Sequence, residues 1–94
     1  MWRRFRAESW SGNRSSFIFC YHDPESGDVR TFCVAQSTLA DLATMEDFMP
    51  EVIFDIWRTR IYRAAEARMA VSNARALQNL SSADIRRAGA SFLR

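Results

Sequence analysis

The sequence predicts a small α+β domain, and three observations carry that prediction. Two runs rich in aromatic and β-branched residues, SSFIFCYHD from Ser15 to Asp23 and VRTFCVAQ from Val29 to Gln36, flank the turn-forming segment PESGD. A long stretch from Pro50 to Val71 runs without glycine and, at about 100° per residue, sets Ile53, Phe54, Trp57, Ile61, Ala64 and Ala65 along one side. Hydrophobic residues are 48% and aromatics 13% of the 94, enough for one core and richer than a disordered chain. The chain is therefore read as one domain over 1–94, with a basic arm or short strand at 1–14, an α+β core at 15–80 and a helical tail at 81–94. The expected sheet is small and antiparallel, a hairpin plus a candidate third strand, packed by one long and one short helix.

Trp2, Phe5 and Trp10 show no clean period before SGNR breaks the pattern, so the start is expected as a short strand or a tethered arm. Phe17, Phe19 and Tyr21 alternate with Ile18, Cys20 and His22, the mark of a central strand covered on one side. PESGD then closes an antiparallel hairpin. Ser37 or Thr38 offers an N-cap, and Asp41 a box-like acid, for a short helix holding Leu39, Leu42 and Ala43 that ends near Thr44. Pro50 suits the first position of the long helix, with Asp47 upstream as a cap. Trp57 lies at the centre of its apolar stripe; Asp55, Thr59, Tyr62, Arg63 and Glu66 take the other side. Ser72 and Asn73 end this helix, and Ala76, Leu77 and Leu80 supply the candidate third strand. Ser81 to Asp84 has the form of a capping box, after which Ile85, Ala88, Gly89 and Phe92 follow at helical spacing and predict a C-terminal amphipathic helix.

The net charge of +2 conceals a segregation. Residues 1–14 carry +3, residues 15–55 carry −7 and residues 56–94 carry +6. All thirteen basic residues are arginine, which a GC-rich coding bias explains, although guanidinium also suits phosphate and carboxylate forks. Such polarity lets the basic ends lie against the acidic middle, within one molecule or between two copies.

Cys20, His22, Asp23 and Cys33 are zinc-ligand types, but no CxxC or HxxH spacing joins them, so no metal is expected. With one histidine, no glycine-rich phosphate loop and no nucleophile elbow, the sequence shows no catalytic constellation and implies no cofactor. Arginines 58, 60, 63, 68, 75, 86 and 87 are interleaved with Trp57, Tyr62 and Phe92, as on a nucleic-acid surface. Yet Trp57 belongs to the predicted core, and Arg60 and Arg68 border the stripe within reach of Glu46, Asp47 or Asp55. The leading expectation is a non-enzymatic interaction module that pairs with itself or another protein; RNA or DNA binding is the alternative. Arg58, Arg63, Ile85, Arg86, Arg87, Phe92 and Leu93 are the expected contact residues, with Ile85, Phe92 and Leu93 as apolar surplus for a homodimer.

The strand SSFIF, the run VRTFCVAQSTLADL, the spacing of Phe54, Arg58, Ile61, Ala64 and Ala65, and the late SSADI together resemble the bacterial proteins grouped as domain of unknown function 1488, over residues 15–85. The arginine-rich start and the chain beyond Asp84 depart from that pattern. The resemblance implies a compact α+β fold and a cytoplasmic bacterial setting, and no activity. The tail SSADIRRAG is similar to tiny arginine-rich bacterial proteins proposed to bind RNA.

MWRRFR begins like a signal-peptide n-region, but no apolar h-region follows, and no membrane span is expected. The expected compartment is the cytoplasm, where Cys20 and Cys33 stay reduced. Dithiothreitol should therefore leave the melting temperature unchanged; a clear drop on adding reductant would reveal a stabilising disulfide instead.

Overall fold

The computed structural model describes residues 2–10, 16–43, 49–72 and 76–92, the side chains of 5–10 and 89–92 excepted. In chain order the elements are β1 (Arg3–Trp10), β2 (Ser16–His22), β3 (Val29–Ala35), α1 (Gln36–Leu42), α2 (Pro50–Val71), β4 (Gln78–Asn79) and α3 (Ser82–Phe92). They form an α+β fold with a mixed four-stranded sheet in the order β1-β2-β3-β4. β1 resolves the choice between strand and arm: it pairs antiparallel with β2, with a register shift between Phe5 and Ser9.

The hairpin forms as the alternation predicts. Phe19 lies opposite Phe32, Phe17 opposite Val34 and Tyr21 opposite Arg30, so these six share one face of the sheet. All six are buried. At the connection Asp23 accepts from Glu25 N–H (3.0 Å) and from the Ser26 hydroxyl (3.0 Å), while Gly27 N–H donates to the Asp23 carbonyl (2.8 Å). Gly27 adopts φ +78°, which a side chain would strain although the space around its Cα is open.

The third predicted strand shrinks to the two residues of β4 and runs parallel to β3, pairing Phe32 with Gln78 and Cys33 with Asn79. The physical reason is the return path. The chain leaves β3, crosses through α1 and α2, and re-enters beside β3 in the same direction, as a crossover connection must. Leu80 N–H donates to the Cys33 carbonyl (3.0 Å), and Leu80 is buried where Ala76 and Leu77 are exposed.

α1 starts earlier than its polar residues suggest. Ala35, already extended at ψ 153°, is the N-cap and makes no side-chain cap bond; Ser37 and Thr38 fall inside the first turn. A strand end supplies the backbone geometry that an N-cap needs, so no hydroxyl is required. α1 ends at Ala43, near the expected place. α2 covers the predicted span with Pro50 at its start and Met49 as N-cap, whereas Asp47 lies outside the described residues. Its C-cap is Ser72, and Asn73 also lies outside them.

The buried side of α2 is turned from the expected stripe. Ile53, Phe54, Ile61, Ala64 and Ala65 are buried as predicted, but Tyr62 joins them and Trp57 is only half-buried at the margin. Wheel position alone sets Tyr62 on the solvent side. The sheet decides otherwise: its ring meets Phe19 edge-on at 5.1 Å, and Arg4 from β1 closes over it with the guanidinium carbon 3.7 Å from the ring centroid. Trp57 lies beyond the aromatic row and is covered instead by Arg60 (5.0 Å) and Arg86 (5.8 Å).

This arrangement ranks two aromatic deletions. Phe54 touches Phe17, Phe19 and Tyr62 and is fully buried, so Phe54→Ala should cost about 3–5 kcal/mol, most of the stability of a small domain. Trp57→Ala should cost clearly less. Urea midpoints at constant m-value compare the two, and an equal loss would return Trp57 to the core.

Candidate interaction surface

α3 begins with the predicted capping box. The Ser81 hydroxyl accepts from Asp84 N–H (3.1 Å), and an Asp84 oxygen accepts in return from Ser81 N–H (3.2 Å). That same Asp84 oxygen accepts from the Arg68 guanidinium (2.6 Å), and the second oxygen lies 3.8 Å from Arg87. One carboxylate thus caps α3 and ties it to α2. Partial burial works to raise the Asp84 carboxyl, but the Ser81 bonds and the Arg68 charge outweigh it and hold the group below its ordinary 3.8. Arg68 was expected to reach Glu46, Asp47 or Asp55. Its partner is Asp84 because α3 folds back along the second half of α2, while Glu46 and Asp47 lie outside the described residues.

Two further contacts dock α3 on α1. The Ser82 hydroxyl donates to the Asp41 carboxylate (3.3 Å), and Arg86 donates to the Asp41 carbonyl (2.8 Å). Asp41 is therefore a docking point for the tail, not the capping acid of its own helix.

Between α2 and α3 runs an open groove of about 640 Å³, lined by Arg63, Arg68 and Arg87, by Asp84, and by Ala64, Ala67, Ala88 and Val71. The lining combines four small or medium apolar side chains with three guanidinium groups and one carboxylate. The outer face of α2 continues away from this groove. There Met49, Val52 and Ile56 are 63%, 43% and 62% exposed, spaced three and four residues apart, so they form one apolar line.

The expected contact residues divide. Arg63 and Arg87 both line the groove. Arg58 lies on the exposed side of α2, ion-paired with Asp55 one turn earlier. Arg86 is exposed and reaches from α3 to the Asp41 carbonyl of α1 and over Trp57 of α2. Ile85 is fully buried in the protomer's own core and offers nothing to a partner, because α3 turns that edge inward against α2. Phe92 ends α3, with its side chain outside the description, and Leu93 lies outside the described residues. Sequence reasoning passed over Met49, Val52 and Ile56, although the four-residue spacing of Val52 and Ile56, across the helix from Phe54 and Ile61, was visible.

The hairpin constellation resolves into structural contacts. Asp23 is held by the turn, and the Glu25 N–H bond is the chief reason its carboxyl lies below the usual range. Cys33 is buried, with its Sγ 2.7 Å from Asn79 Oδ1, and burial pushes the thiol up. Cys20 and Cys33 are free; Cys20 opposes Thr31 and Cys33 opposes Ile18, so the two stand diagonally on adjacent strands. Among the described residues no three of His, Cys, Asp and Glu converge as metal ligands, and no helix is long and apolar enough to cross a membrane.

No protein-family model, curated protein sequence or solved structure matches this chain. The surface is therefore read from its own chemistry.

The Asp84 junction yields a pH test. A carboxyl depressed in the folded state adds stability above its unfolded pKa and loses it as pH falls through the lower folded value. Asp84→Asn should cost about 1 kcal/mol at neutral pH, the usual loss of a helix cap. The gap to wild type should close on acidification well below 3.8, as thermal melts across a pH series would read. A gap independent of pH would mean that the carboxylate charge contributes nothing.

Proposed function

We propose that the chain is a non-enzymatic interaction module that acts through protein–protein contacts and pairs with itself. The observation that carries this reading is the line of Met49, Val52 and Ile56 left in solvent at the start and along the first half of α2. Burying a side chain of this kind is worth about 1.5–3 kcal/mol, and isolated exposed hydrophobics need no explanation whereas a contiguous line does. Arginine and methionine are also among the residues enriched in protein interfaces. The reading sets the protein in the cytoplasm, where the two free thiols of Cys20 and Cys33 stay reduced.

Nucleic-acid binding is the second reading, favoured by the three arginines around one groove. Against it, Arg68 already serves Asp84, Arg86 donates to Asp41, and the face of Trp57 that a base would stack upon lies under Arg60 and Arg86.

Light scattering across a concentration series should show the mass rising toward twice 10.9 kDa. Replacing Arg86 and Arg87 together by alanine should lower the melting temperature, with oligonucleotide binding weak even at low salt. Micromolar or tighter RNA or DNA binding at physiological salt, with a steep log-linear salt dependence flattened by that double replacement, would overturn the protein-binding reading in favour of phosphates.

A further inference from the structure

We draw no further inference here: the strongest candidate, the exposed apolar line of Met49, Val52 and Ile56 on the outer face of α2, is the surface on which the proposed function already rests, and nothing in the structure shows what covers it.

Discussion

The fold depends on how α2 lies across the aromatic row of β2. Phe17 meets Phe54 at 4.6 Å, Phe19 meets Tyr62 at 5.1 Å, and the Tyr21 hydroxyl donates to Glu66 at 3.0 Å. Residue numbers rise together on both elements, so the helix runs along the strand in the same sense. Phe32 of β3 joins the row beside Phe19 at 5.9 Å. Edge-on and tilted rings pack densely and carry both area burial and favourable quadrupole contacts, so this row sets the rotation of α2 about its axis. Burial, and the neighbouring Glu66 carboxylate after it, push the Tyr21 phenol upward, which leaves it a permanent donor to that carboxylate.

Fixing the rotation of α2 also assigns its other sides. One flank takes α3, held apolar through Ile85 and Ala88 and polar through the single carboxylate of Asp84. The outer side, turned away from the sheet, keeps Met49, Val52 and Ile56 in solvent. Had the helix rolled to centre Trp57, Tyr62 would have surfaced and the groove beside α3 would have moved with it.

The arginines are the part of this protein that a linear reading most readily misplaces. Several of them have local duties, among them Arg4 over Tyr62, Arg60 and Arg86 over Trp57, and Arg68 on Asp84. Arg30, in the acidic middle, is buried beside Trp2 with Asp28 at 3.5 Å, its Nε without a protein partner. Exposed pairs such as Arg58 with Asp55 add little stability, whereas guanidinium groups laid on rings protect aromatic area from water. Arg86 reaches from the basic end to the Asp41 backbone carbonyl of the acidic middle, whereas Arg68 finds Asp84 within its own basic segment.

Alternation in SSFIFCYHD, the turn residues of PESGD, the unbroken period from Pro50 to Val71 and the serine–aspartate box before α3 determined the hairpin, the long helix and the tail helix, because each signal is local and acts within a few residues. The sequence by itself therefore determined the α+β class and the elements. Tertiary structure alone decided that residues 3–10 pair with β2, that β4 returns parallel to β3, that Tyr62 rather than Trp57 is buried, that Ile85 is spent on the core, and that Arg63 and Arg87 line one groove. The reason is common to all five. A helical wheel or a strand pattern shows which residues share a side, but where a neighbouring layer begins and ends depends on residues far away in the chain.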